Sequence, residues 1–163
     1  MLHQTLSLIL IIGSGAIAPC RAQVAAKQKG TVEALGEFTR LTFPGDDAFG
    51  YSLKLWQEGD QVFGRLEIYV GAPADPPTGT LDDVTYDPRT KQFSFSVRLS
   101  TGFTRAADNT WVPTHEKFVF KGVLTRKRVS GTLQQFDLDK PEAPPISKRI
   151  NLRRSKRLPA ELN

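Results

Sequence analysis

The chain has 163 residues, room for one domain and little else. Its only cysteine is Cys20, which excludes an internal disulfide, so the core must come from apolar burial alone. The net charge of +5 is unevenly placed: residues 33–87 hold eleven acids and three bases, and residues 121–157 hold eleven bases and three acids. Such a basic end suits an anionic lipid surface, lipopolysaccharide or nucleic acid, or simply complements the acidic half of the same domain.

Residues 6–12 (LSLILII) form an apolar run that small residues extend to Ala18. The run is too short and too soon interrupted for a final membrane anchor. It fits the apolar region of a signal peptide followed by a small-residue cleavage site. The competing reading is a buried N-terminal strand or helix. A lipidated Cys20 is disfavoured, because Pro19 lacks an N–H and has a fixed φ at the bond to be cut. The expected order is a signal peptide over 1–22, a flexible leader over 23–33, a β-barrel domain over 34–157 and a tail over 158–163. Export to the periplasm or beyond follows, and the mature chain then carries no cysteine and a charge near +4, since Arg21 leaves with the signal.

Beyond the leader a period of two recurs, and helical spacing is almost absent. Phe49, Tyr51, Leu53 and Leu55 alternate with Gly50, Ser52, Lys54 and Trp56. Val62, Gly64, Leu66, Ile68 and Val70 alternate with Phe63, Arg65, Glu67 and Tyr69. Phe93, Phe95, Val97 and Leu99 make the clearest case, and Phe118 and Phe120, then Val129 and Leu133, then Ile150 and Leu152 follow. Successive side chains of a strand point to opposite faces, so each such segment has one apolar and one wet face. The links carry turn chemistry: Gly59 within Glu58-Gly59-Asp60, Pro88 after Asp87, and the short Arg126-Lys127 link. Residues 72–77 and 139–145 are proline-rich and mark strand boundaries.

The pattern predicts about eight strands, near 35–43, 49–57, 61–71, 79–87, 92–101, 116–125, 128–138 and 146–154. Short hairpin links make neighbours antiparallel, and eight such strands can close into an all-β up-and-down barrel without exposed edges. A sandwich is the competing architecture. Gly64, Gly122 and Gly131 each precede an x-Leu pair within a strand, which fits sharp curvature.

Gly36-Glu37-Phe38 in the first strand and the pair Arg153, Arg154 in the last give the chain a resemblance to the calycins, the lipocalin-like barrels. In lipocalins the first-strand motif is Gly-x-Trp, and an arginine from the end of the barrel packs across the tryptophan. Phe38 stands in the tryptophan's place, and the usual C-terminal helix is missing. The resemblance implies the barrel; it does not specify a ligand.

Catalytic signatures are not found. His115 is the one histidine of the mature chain, and it sits beside Glu116 without the ligand spacing of a zinc site. No Gly-x-Ser-x-Gly elbow is present, and Asp46-Asp47 and Asp82-Asp83 lack the spacing of a calcium loop. No cofactor, metal or catalytic residue is therefore expected; the alternative of a barrel hydrolase or isomerase would need His115 or a strongly perturbed carboxylate inside the cavity. The first functional expectation is a non-enzymatic, monomeric module that holds a small apolar or amphipathic ligand in its interior. Tyr51, Phe93, Phe95 and Phe120 would be the wall residues, against the bland reading of a packed core. The second is a protein–protein module, an inhibitor or envelope scaffold, acting through the loops 72–77 and 101–113 or the basic C-terminal strand. Phe103 and Trp111 are its aromatic anchors, and Arg149 and Arg153 lie on the wet face of that strand. Exposed aromatics in 101–113 would favour a protein partner; aromatics folded as a lid over the barrel mouth would favour the small ligand. Export argues against nucleic acid, and the basic face also suits weak contact with an anionic membrane.

Overall fold

The computed structural model describes residues 31–71 and 74–156. The segment read as an export signal, most of the leader, and the tail over 158–163 lie outside the described residues. The alternating segments form strands: β1 (Val32–Thr42), β2 (Ala48–Glu58), β3 (Gln61–Gly71), β4 (Thr78–Thr80), β5 (Asp82–Tyr86) and β6 (Gln92–Leu99). Then come β7 (Phe103–Arg105), β8 (Trp111–Pro113), β9 (Glu116–Leu124), β10 (Arg128–Asp137) and β11 (Ile146–Arg154). No helix occurs among the described residues.

Nine strands make one antiparallel sheet in the order β4-β3-β2-β1-β11-β10-β9-β6-β5. Its two ends are consecutive pieces of chain. β4 bonds to β3 and β5 bonds to β6, so the run from Thr78 to Tyr86 bridges the sheet's two edges and the up-and-down barrel all but closes. The expected single strand over 79–87 is thus broken at Leu81, whose N–H donates to the Gly64 carbonyl at 2.9 Å. The chain changes partner strand there, and Asp83 supplies the kink. It takes φ +51°, which aspartate tolerates, and its carboxylate accepts from Ser96 Oγ at 2.9 Å. β1 also begins earlier than expected: Val32 and Glu33 already pair with Glu58 and Gln57.

The barrel has two unlike ends. Tight turns after β2, β5 and β9 gather at the turn end, together with the start of β1 and the end of β11. The longer connections 43–47, 100–115 and 138–145 gather at the other, the loop end, as does the described part, 74–77, of the expected contact loop 72–77, whose residues 72–73 lie outside the described residues. Residues 103–113, expected as a polar loop, form the separate hairpin β7–β8. Asp108 caps its turn by accepting the Thr110 N–H and hydroxyl, and Asn109 takes φ +67°.

Inside, Phe38, Leu53, Leu66, Phe93, Phe95, Val97, Phe118, Phe120, Val129 and Leu152 belong to one buried cluster. Full burial of each such side chain stabilises the fold by about 1.5–3 kcal/mol. Gly122 and Gly131 face each other across β9 and β10, and the end of the Phe120 ring packs over both. A Cβ on Gly122 would lie 2.3 Å from the Ser130 carbonyl oxygen, and one on Gly131 would lie 2.3 Å from that of Lys121. The obstacle is backbone, so the strands themselves would have to part. Gly122→Ala and Gly131→Ala are each expected to destabilise the fold by about 1–3 kcal/mol, read by urea unfolding. Unchanged midpoints would mean the two backbones do not approach this closely.

Candidate functional site

Three of the four expected wall residues meet in the middle of the barrel. The Phe95 and Phe120 rings stack at 5.2 Å between centroids, and Phe93 tilts against them at 5.6 and 6.0 Å. Offset and tilted rings at these separations attract one another beyond their burial. Phe120 is 0% exposed, and the rings pack on each other rather than around a space. Tyr51 stands apart from the trio. It is half-buried towards the loop end, and Lys148 Nζ lies 5.6 Å from the centre of its ring, a cation–π arrangement. Phe49, on the same face as Tyr51, is exposed at the rim.

The loop end carries the apolar surface. Among the described residues, Phe43, Phe49, Val70, Leu138 and Ile146 are exposed there, together with Phe103 and Trp111, which are 68% and 67% exposed. Phe103 pairs with Pro113 and Arg105 with Trp111, so strand alternation sets these four side chains on one face of the hairpin. The Arg105 guanidinium lies 5.9 Å from the Trp111 ring centre. The aromatics therefore project on the hairpin and do not fold over the mouth.

Glu116 fixes the base of that hairpin. Its buried carboxylate accepts from the Thr101 N–H at 2.8 Å, the Thr101 hydroxyl at 2.6 Å and Gln135 Nε2 at 2.8 Å. Sequence reasoning passed over Glu116 as a neighbour of His115; no local signal shows that three donors from two other segments converge on it. His115 itself joins the last long loop: its Nδ1 lies 2.9 Å from Asp139 Oδ1, and its carbonyl accepts the Leu138 N–H at 2.8 Å. Among the described residues no hydroxyl is hydrogen-bonded to His115, and no cluster of three His, Cys, Asp or Glu side chains could hold a metal. The His115–Asp139 contact ties loops together.

The seam between β1 and β11 is the least complete part of the wall. The two strands pair only at Phe38–Arg154 and Thr39–Arg153, with the Ser155 N–H donating to the Glu37 carbonyl at 2.7 Å. Towards the loop end they part. On the inner side the gap forms a cleft of ≈ 340 Å³ lined by Arg40, Phe49, Tyr51, Lys148 and Arg149. On the outer side it forms one of ≈ 810 Å³ lined by Thr39, Tyr69, Asn151 and Arg153 among others. Arg149 and Arg153 are exposed, as the alternation with buried Ile150 and Leu152 requires.

At the turn end a third cleft, ≈ 560 Å³, has Leu35, Phe38, Tyr86 and Leu124 as its apolar part and Lys91, Arg126 and Arg154 as cations. Its lining contains no acid. Gly36 shapes this end. It has φ +133° at the β1 bulge, and the Arg154 side chain lies so close over it that a Cβ would sit 2.8 Å from Nε. On the outer wall, Lys54 reaches Glu67 at 2.6 Å and the Tyr69 hydroxyl donates to the same carboxylate at 3.2 Å. Burial, and then the Glu67 charge, hold the Tyr69 phenol above its usual range.

Comparison with family models, curated proteins and solved structures returns no match, so the class of this protein rests on its own geometry: an all-β up-and-down barrel with a packed middle, an apolar loop end and an open, basic seam.

The Asp139 contact has a pH signature. The His115 hydrogen bond holds the Asp139 carboxyl below its usual range. A carboxyl lowered on folding contributes stability above its unfolded value, about 3.9, and loses it as pH falls through the lower folded value. The Leu138 amide is therefore expected to keep its protection at about pH 6 and lose it on acidification below the ordinary carboxylate range. Asp139→Asn should remove that acid limb. Protection that survives full acidification would show that the loop is held by other contacts.

Proposed function

We propose that this protein is a non-enzymatic binding module of the cell envelope or the extracellular space that engages a protein partner through its loop end. The observation that carries the reading is the hairpin β7–β8, on which Phe103 and Trp111 are two-thirds exposed on a common face beside Arg105. Clustered aromatic and arginine side chains are the residue types that dominate protein interfaces. A soluble monomer seldom leaves a contiguous apolar patch without a use for it. Glu116 supports the reading by holding the base of the hairpin in place, so that less ordering is left to pay for on binding.

A second reading keeps the small amphipathic ligand and moves it out of the filled middle. The turn-end cleft favours it, since its volume falls within the usual range for small-molecule sites and its rim is cationic. An organic anion with an apolar body has the matching chemistry. The calycin-like features, Phe38 in register with Arg154 and Arg154 lying over Gly36, are compatible with either reading.

One experiment separates them. The protein is captured from its own host in parallel with a Phe103→Ser, Trp111→Ser double variant, and both are read by native mass spectrometry. The substitutions are exposed, so stability should change by less than about 0.5 kcal/mol each. The expected result is a protein partner that the wild type retains and the variant loses. A small adduct on both forms, with no partner, would support the turn-end cleft instead and end the loop-end reading.

A further inference from the structure

The parted seam between β1 and β11 has consequences for the backbone as well as the side chains. Alternate residues of an antiparallel strand turn their N–H and C=O groups to opposite neighbours. On β11 the Arg154 N–H donates to the Lys127 carbonyl at 2.9 Å, on the β10 side, and the Ser155 N–H donates to Glu37, on the β1 side. Counting back by twos, Asn151, Arg149 and Ser147 also turn their backbone groups towards β1. By the same count from Glu37 and Thr39, Leu41 turns its groups towards β11. Yet the β1–β11 ladder ends at Thr39–Arg153 among the described residues, while β10 pairs with β11 as far as Ile146. Two strand edges thus face each other across a wedge, with hydrogen-bonding groups presented and no strand between them.

The charge around the wedge has one sign. Arg153 lines the outer cleft, and Arg149, turned outward by its alternation with buried Ile150, reaches the rim of the inner one, where Arg40 and Lys148 lie with Tyr51 and Phe49. None of these four cations makes an ion pair with a described residue. The one acid in the lining, Glu37, accepts from Ser52 Oγ at 3.0 Å. Cations on a free edge repel stray strands of the same charge, but they attract an acidic one.

We propose that this wedge takes an extended, acidic segment of a partner protein by strand addition. The inference rests on the protein-binding reading above and names a second contact for that partner. The inserted strand pairs its backbone with the β11 edge. Its acidic side chains point outward to Arg149 and Arg153, and its apolar side chains point inward to Tyr51 and Phe49. Main-chain pairing supplies affinity and alternate side chains supply specificity, as in other strand-addition complexes.

The probe is the hexapeptide acetyl-EVEVEV-amide, titrated into ¹⁵N-labelled protein as its host processes it, at low salt. The expected result is amide shifts centred on Leu41, Ser147, Arg149 and Asn151. Arg149→Gln with Arg153→Gln should weaken binding by about fivefold or more, and N-methylation of alternate peptide amides by about tenfold. Methylation leaves the protein untouched, so the outcome does not depend on a variant folding. No shifts, or equal binding of the methylated peptide, would overturn the proposal. Shifts confined to the hairpin β7–β8 would overturn it too, while leaving the loop-end reading intact.

Discussion

Phe120 packs against Phe95 on one side and onto the paired backbones of Gly122 and Gly131 on the other, and the rest of the barrel depends on that contact. A chain with one cysteine has no internal disulfide to constrain its unfolded state, so a small β-domain of this kind must fill its middle with apolar side chains. The two glycines allow β9 and β10 to close on each other, and the closure puts the Phe120 ring where Phe93 and Phe95 can reach it. A filled barrel is rigid, because close-packed interiors transmit displacement rather than absorb it.

That rigidity decides where recognition can take place. With the three phenylalanines packed together in the middle, surface for a partner is left at the ends and along the seam. The long connections all fall at one end because an up-and-down chain alternates direction, and with them come the exposed aromatics. The seam opens towards the same end. The hairpin held at its base by Glu116 lies at that end, and the wedge beside Arg149 and Arg153 opens towards it. The turn end is chemically different, with a cleft whose cations include Arg154 and whose lining has no carboxylate.

Much of this architecture was legible in the sequence. Alternation along 49–55, 62–70 and 93–99 placed the strands and their inward faces, and Pro88 and the Arg126-Lys127 link placed the turns. The break at Leu81 was not legible, because a change of partner strand is a property of closure and not of local pattern. The hairpin over 103–113 was hidden by its size: strands of three residues each are too short to show a period of two, and only Asp108-Asn109 hinted at a turn. The site was less legible than the fold. The sequence grouped Tyr51 with the three phenylalanines by parity, yet parity does not say how far along the barrel a residue lies, and Tyr51 belongs with Lys148 near the loop end. Arg149 and Arg153 were readable as an outward pair, but the missing β1 ladder beside them depends on how the sheet curls shut.

The central claim is that the middle of the barrel is solid and that the β1–β11 seam is open on one side. Native-state amide exchange tests it most directly, since protection follows hydrogen bonding and local stability residue by residue. Phe95, Phe120 and Leu133 should exchange only through global unfolding. Along β11, Ile150 and Leu152 should be protected by β10, and Ser147, Arg149 and Asn151 should exchange freely. Uniform protection along β11 would contradict the account, for it would mean that the seam is zipped shut.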